Sequence, residues 1–402
     1  MNLFESLYYL GLSAKKYFVL KNQKKLPYKV ISIGNITVGG TGKTPATIAV
    51  AEEAKKRGFM PVILTRGYRG SIKGPAFVTE GNGPLLSADE AGDEPVLMAE
   101  KLKGIPVVKC ADRYTGGMFA IQKLNSQKSE SSSDPLPLTP NSLLFILDDG
   151  FQHWKLHRDK DIVLIDIGNP FGNRKLLPFG RLREPLKSLE RADIIVLSKQ
   201  LTKEFISKAP SPSPLPTGQA GSPSRGEGYN ISPPLRGGDE GEGDVCGFTN
   251  DRISKFPDSN DQTNYDLVNE IRKYNQGAPI FHAEHKPVFC RLLSGERKPL
   301  SWISGKKLFG FCAIANPKSF METIRSAGAE LAGFESYRDH YKYNSSDIME
   351  IKGRADESGA GWIVTTEKDM IKLKYLDLPE NILIIEIEFL AENGFLKTVF
   401  DL

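Results

Sequence analysis

The sequence predicts an α/β protein: a parallel sheet covered by helices on both faces, followed by a smaller C-terminal α/β unit. Three observations lead there. Apolar, β-branched runs recur at 28–33 "YKVISI", 61–64, 105–108, 143–147 "LLFIL", 162–167 "IVLIDI" and 194–197. Between several of them lie stretches with helical spacing, such as 44–57 "TPATIAVAEEAKKR", which Gly58 stops. Continuous apolar strands alternating with helices are the pattern of a sheet buried on both sides. The same rhythm resumes late in the chain, with strands expected at 307–312, 362–365 and 382–388 and a helix near 317–327.

At 402 residues, 40% hydrophobic and 25% charged, the chain has room for two domains with sizeable cores. Its formal charge of +4 is too small to predict nucleic-acid binding, and nothing in the pattern calls for an obligate protein partner. Cys110, Cys246, Cys290 and Cys312 are scattered without a CxxC pair, so neither a disulfide framework nor a structural zinc site is expected. A reducing, cytoplasmic setting fits this usage.

The first element, 1–27, begins "MNLFESLYYLGLSAKKYFVLKNQKK". No apolar run reaches the roughly 18–20 residues of a spanning helix. Aromatic and aliphatic residues mixed with Lys15, Lys16, Lys21, Lys24 and Lys25 instead predict a helix that either lies in a membrane interface or packs on the core.

The next unit, 28–208, opens with "ISIGNITVGGTGKTP". A strand enters a glycine-rich loop and leaves it as a helix beginning Lys43-Thr44, which is the arrangement of a P-loop. Gly39, Gly40, Thr41 and Gly42 would turn backbone N–H groups toward phosphate oxygens, Lys43 would reach the β/γ phosphates, and the Thr44 hydroxyl would hold Mg²⁺. Thr37 occupies the first glycine position of the strict pattern. The loop 89–95 "DEAGDEP" offers Asp93 either as a helix cap or as a base for an alcohol proton. Residues 125–141, rich in Ser and Pro, read as a long exposed loop. "LLFILDDGFQH" then delivers Asp148 and Asp149 at the end of a core strand, where adjacent carboxylates repel unless a cation sits beside them; the alternative is a helix cap plus a solvated acid.

Residues 209–244 carry almost no large apolar side chains and are expected to be disordered and dispensable. The last unit, 245–402, holds the second α/β pattern. In it His282 and His285 lie three apart, as His153 and His157 lie four apart upstream, without a further ligand at zinc spacing. His340 follows Asp339, which could fix its tautomer; a surface turn explains the pair as well.

Taken together, "GNITVGGTGKTP", "LTRGYRG", "GDEP", "LDDGFQHWKLHRD", "FGNRKLLPFGRLREPL", "GFCAIANPKSF", "YRDHYKYN" and "VTTEKDMIKL" occur in this order. In this the chain resembles the tetraacyldisaccharide 4′-kinase, or lipid A 4′-kinase, family over nearly its whole length outside the two inserts. The resemblance implies a P-loop kinase core with a smaller C-terminal subdomain and an N-terminal interfacial helix. It implies transfer of the ATP γ-phosphate to the 4′-hydroxyl of an acylated glucosamine disaccharide 1-phosphate, by a peripheral protein at the cytoplasmic face of the inner membrane. Carried over by position, Lys43 and Thr44 would serve ATP and Mg²⁺, with Asp148, Asp149 and Glu94 completing the metal site. Asp93 would be the base, supported by His340. Tyr68, Gln152, His153, Asn173, Arg183 and Glu184 fall in motifs expected to line the acceptor site. Arg69, Arg338 and Ala313 depart from the family pattern, Arg69 standing where glycine is common.

Two other readings compete. A P-loop GTPase switch would need an N-K-x-D reader, but 198–201 is Ser-Lys-Gln-Leu, and the lysine of "TTEKD" falls one place late. A kinase of a soluble sugar or cofactor would have no use for the basic, aromatic N-terminal segment.

Overall fold

In the computed structural model the structure describes residues 3–131, 143–200 and 262–401. The 209–244 stretch, Cys246 and residues 132–141 lie outside the described residues. Helix α1 (Leu3–Lys21) leads into β1 (Lys29–Gly34), whose apolar run is buried from its second residue onward. The chain continues through α2 (Lys43–Lys56), β2 (Met60–Thr65), β3 (Ala76–Thr79), α3 (Ala88–Ala91), α4 (Asp93–Lys101), β4 (Val107–Lys109) and α5 (Arg113–Ser131). Then come β5 (Leu143–Asp148), β6 (Lys160–Asp166) and β7 (Ile194–Gln200). After the undescribed stretch follow α6 (Gln262–Arg272), β8 (Ile280–Leu292), β9 (Arg297–Pro299), β10 (Lys307–Cys312), α7 (Pro317–Ser326), β11 (Glu330–Ser336) and α8 (Ser345–Glu357). The chain ends with β12 (Trp362–Thr366), α9 (Glu367–Leu373), β13 (Ile382–Ala391) and α10 (Phe395–Phe400).

Among the described residues these strands form one sheet, in the order β11-β10-β12-β13-β8-β7-β6-β1-β5-β2-β4-β3, with β9 paired to β8. The strands from β7 to β4 run parallel, as do β11, β10, β12 and β13 among themselves. The smaller C-terminal unit is therefore not set apart by a break in the sheet. Strand β8 joins the two halves, running parallel to β7 through 280–285 and antiparallel to β13 through 283–292.

Alternation along the strands builds a core on each face. Ile31 and Ile33 of β1 meet Val50 and Ala54 of α2, while Val30 turns the other way toward Leu26 and Phe145. Fully burying each such side chain is worth roughly 1.5–3 kcal/mol, which is why this sheet is specified so strongly by its apolar runs.

Two sequence expectations differ from the structure. Helix α5 continues through Ser131, so 125–131 is helix rather than loop; "NSQKSES" contains no Pro or Gly, and a helix already nucleated upstream propagates through such residues. Strands β3, β8, β9 and β11 were not foreseen. In β8, Glu284, His285, Lys286 and Pro287 interrupt the apolar run, although Glu284 and His285 are buried.

The order places β1 between β5 and β6. The carboxyl ends of β1 and β5 therefore open side by side at the centre of the sheet, where parallel α/β proteins form their crevice.

Candidate active site

The glycine-rich loop leaves β1 and is braced along 36–38 by 181–183. Val38 N donates to Arg181 O (2.7 Å), Arg183 N donates to Ile36 O (2.8 Å), and Thr37 bridges Leu182. Thr37 is thus strand-like, and the absence of a glycine at that position costs the loop nothing. At the far end Gly42 takes φ 74, and a Cβ there would sit 1.8 Å from His285 Nε2, so only glycine fits. Asn35 Nδ2 donates to Thr41 Oγ1 (2.9 Å). Helix α2 then starts at Lys43, its first N–H groups and dipole facing the loop's concavity.

Asp148 ends β5 with its side chain held by the hydroxyls of Thr47 (3.3 Å) and Thr65 (3.2 Å). Burial, together with the charges of Glu94 and Asp149, pushes its carboxyl up to about 7. Asp149 is opposite in character. Burial works against its charge, but Lys43 and Arg183 outweigh burial and hold it below the ordinary carboxylate value. Lys43 Nζ lies 3.8 Å from its Oδ1, and Arg183 Nη1 donates to both oxygens at 2.9 and 2.8 Å. Asp149 also sits at φ 50, a left-handed backbone that a non-glycine residue keeps only where its surroundings fix it. Arg113, buried beside both aspartates, adds a further cation.

Asp93 opens α4, and His340 lies on the loop before α8, at φ 62. They meet across the crevice: His340 Nδ1 is 2.9 Å from Asp93 Oδ2. Burial raises the cost of the Asp93 charge, yet the hydrogen bond from His340 and the cations Lys372 and Lys368 keep its carboxyl below the usual range. Asp93 is therefore ionised and accepts from His340 Nδ1–H. The Tyr68 ring stands 5.8 Å from the His340 ring and is 55% exposed. Arg69, next to it, adopts φ 64, a glycine-like conformation at the position where the family pattern has glycine. Lys109 ties this loop to α3 by donating to Ile72 O and Glu90 O at 2.6 and 2.7 Å.

The other expected acceptor residues are distributed unevenly. Gln152 donates to Asn35 O (2.8 Å) and Glu184 Oε1 (3.0 Å), joining the phosphate loop to the segment after β6. His153 accepts from Arg113 N (3.3 Å), and burial, with the Arg113 charge, pushes it down to about 3, so it is neutral. Asn173 is bonded to Phe179 O and Lys175 N at the rim of a shallow cavity of about 460 Å³ shared with Arg181. Arg183 faces Asp149. Glu184 is 1% exposed and accepts from Arg191 and Gln152.

Glu94 faces Lys368 Nζ at 3.5 Å. Lys368 also stands close to His340 and was not singled out from the sequence. Its signal was present, since a lysine in the first turn of a helix following a core strand opposes the helix dipole. His285, under Gly42, is the other residue whose place the sequence did not reveal.

Comparison with known proteins agrees along the chain. The family model for tetraacyldisaccharide-1-P 4′-kinase matches residues 1–221 and 255–401, passing over most of the low-complexity insert. A tetraacyldisaccharide 4′-kinase of Syntrophus aciditrophicus (strain SB) is 34% identical, covering 100% of this chain and 92% of its own length. One from Pelobacter propionicus is 33% identical over 93% of this chain and 82% of its own. Among solved structures, a crystal structure of an "apo" form of LpxK from Aquifex aeolicus in complex with ATP superposes with a TM-score of 0.65 at 28% identity, covering 99% of this chain and 96% of that one. A P-loop at the centre of a parallel sheet, a carboxylate pair beside it and matches of this extent lead to one conclusion: the chain belongs to the tetraacyldisaccharide 4′-kinase family.

Proposed function

We propose that this protein is an ATP-dependent lipid kinase that transfers the γ-phosphate of ATP to the 4′-hydroxyl of tetraacyldisaccharide 1-phosphate, the lipid A precursor. The observation that carries the reading is the pairing of Asp93 with His340 across the crevice from the Lys43–Asp149 end of the phosphate loop. One side is suited to holding phosphates and the other to taking a proton.

The loop N–H groups from Gly39 to Thr44 and the Lys43 ammonium would receive the ATP phosphates. The oxygen set of Thr44, Asp148 and Asp149 fits Mg²⁺. Asp148 is a carboxyl pushed up to about 7 by burial and by the charges of Glu94 and Asp149, and all three residues are hard oxygen donors. When bound, the ion supplies charge neutralisation at the transferring group. Glu94, already facing Lys368, would act at longer range.

Asp93, ionised and oriented by His340, accepts the proton of the incoming hydroxyl. A strong base is not required, because the transition state of phosphoryl transfer is loose and proton transfer lags behind it; positioning and electrostatics do most of the work. Tyr68, beside His340, and His153, bonded to Arg113 N, are the proposed acceptor contacts, with Asn173 at the rim of the shallow cavity. Gln152 and Arg183 act on the protein side, through Asn35 and Asp149.

Helix α1 would dock the enzyme on the membrane. It is fastened by Glu5, which accepts from Leu176 N (3.0 Å), and by Tyr8, whose hydroxyl donates to Arg183 O (3.1 Å). This leaves Leu7, Leu10, Tyr17 and Phe18 exposed at 56, 61, 66 and 65%. No described helix is long and apolar enough to cross a bilayer, and the reading is of a peripheral protein at the cytoplasmic face of the inner membrane.

The test is transfer of labelled γ-phosphate to tetraacyldisaccharide 1-phosphate in detergent micelles. Asp93→Ala should depress kcat about a hundred-fold or more with ATP affinity little changed. Equal loss of both would remove Asp93 from the role of base, and ATP turnover without lipid labelling would reopen the identity of the acceptor.

A further inference from the structure

We infer that Lys368 is a positioning residue for the reaction, acting through His340 to hold the Asp93 carboxylate in register with the acceptor; the inference rests on the reading of Asp93 as base. Lys368 is the second residue of α9. Its Nζ stands 3.4 Å from Asp339 Oδ1, 3.5 Å from His340 Nε2 and 3.5 Å from Glu94 Oε1. One ammonium thus touches both residues of the loop that carries His340 and the neighbour of Asp93 on α4.

Three features make this arrangement directional. Ammonium is a donor only, so where it reaches His340 Nε2 (3.5 Å) that nitrogen accepts, which is the tautomer whose Nδ1–H donates to Asp93; the Asp339 carboxylate stands 3.8 Å from the same Nε2. The Lys368 side chain is 19% exposed and faces the carboxylates of both Glu94 and Asp339. The support is also rigid. Thr366 caps α9 by accepting from Asp369 N (3.1 Å), and the Asp369 carboxylate accepts from Ala313 N (3.1 Å) and Tyr343 OH (3.2 Å) and pairs with Lys372 (2.9 Å).

Helix stability does not explain a cation here, because the first turn of a helix favours acids. His340 needs such a support, since its backbone is left-handed at φ 62 and the loop would relax without tertiary contacts. Removing the ammonium frees the imidazole to turn away and lets Asp93 swing. A misplacement of about 1 Å at a reacting group costs roughly a hundred-fold in rate.

The experiment is a double-mutant cycle on labelled phosphate transfer in detergent micelles, run with enzyme in excess so that slow variants remain measurable. The proteins are wild type, Lys368→Met, Lys368→Arg, His340→Ala and the Lys368→Met/His340→Ala pair. Lys368→Met should lower kcat about ten- to a hundred-fold with KM for ATP near wild type, and Lys368→Arg should retain most of the rate. In the His340→Ala background the Lys368→Met change should have no further effect. Losses that multiply would show that Lys368 acts independently of His340 and would overturn the inference. So would a Lys368→Arg protein that melts like wild type yet is as slow as Lys368→Met. A His340→Ala enzyme at wild-type rate would instead remove the Asp93–His340 reading itself.

Discussion

Two histidines that the chemistry does not use as acids, His285 buried and His153 half-buried, set a pH dependence that belongs to single residues. His285 lies against the phosphate loop, and burial pushes it down to about 4; His153 is pushed down to about 3. In the unfolded chain each titrates at its ordinary value near 6.5. Below that value the unfolded state binds the protons and the folded state refuses them, so stability is complete above about pH 6.5 and declines as pH falls toward 4. By pH 5 each histidine withdraws about 2 kcal/mol. Asp148 has the opposite sign: raised to about 7, it binds its proton in the folded state first and, between pH 7 and pH 5, offsets about as much as one of the two histidines withdraws. Denaturant titrations at pH 7 and pH 5 should therefore show a net loss at the lower pH, and His285→Gln should flatten the difference. An unchanged slope in that variant would mean that His285 is hydrated and titrates normally.

At the scale of elements, what the sequence revealed and what it hid have one physical division. Strands with unbroken apolar runs and the glycine-rich turn into α2 were legible, because burial on both faces and φ > 0 each leave a local mark. Asp148, Asp149 and Asp93 were legible for the same reason, each lying beside such an element. Strand β8 was hidden because its Glu284 and His285 are buried by the meeting of two sheet halves, which no local pattern encodes. Arg183 and Glu184 are contiguous, yet the chain turns one side chain to Asp149 and the next inward to Arg191, a division that no local pattern encodes. Helix α1, open to two readings from its residues and expected from the resemblance to be interfacial, is fastened at Glu5 and Tyr8 while Leu7, Leu10, Tyr17 and Phe18 stay exposed. Deleting residues 1–21 should abolish most binding to vesicles containing anionic lipid, since the exposed apolar side chains and lysines act together there. Cosedimentation with such vesicles measures this, and undiminished binding would assign the membrane contact to another surface. Because Tyr8 reaches Arg183, the same deletion should also slow transfer to acceptor in detergent.

For the whole molecule, the candidate site depends on two halves of one sheet keeping a fixed relation, since Asp93 comes from one and His340 from the other. Helices α4 and α9 face each other across this junction through a set of ion pairs: Glu94 with Lys368, Glu100 with Lys374 and Lys101 with Glu367, while Asp89 pairs with Lys342 nearby. Pairs open to water contribute little, so Asp89–Lys342, exposed on both sides, should matter least. Lys101–Glu367 is different. Lys101 Nζ lies 2.7 Å from Glu367 Oε1 and also donates to Ile387 O (3.3 Å), while Glu367 accepts from Ile387 N (3.1 Å). Burial drives the Glu367 carboxyl upward, and Lys101 is the main opposing influence. Lys101→Met would leave that carboxylate buried without its cation, which costs about 3 kcal/mol. Urea titration should show this loss, and adding Glu367→Gln should restore part of it, because a neutral amide removes the stranded charge while keeping a hydrogen bond to Ile387. If the single change costs less than about 0.5 kcal/mol, the junction is held by apolar packing of α9 on α4. If the double variant regains stability but not phosphate transfer, the ion pair is needed to keep Lys368 and Asp93 in register as well as to hold the halves together.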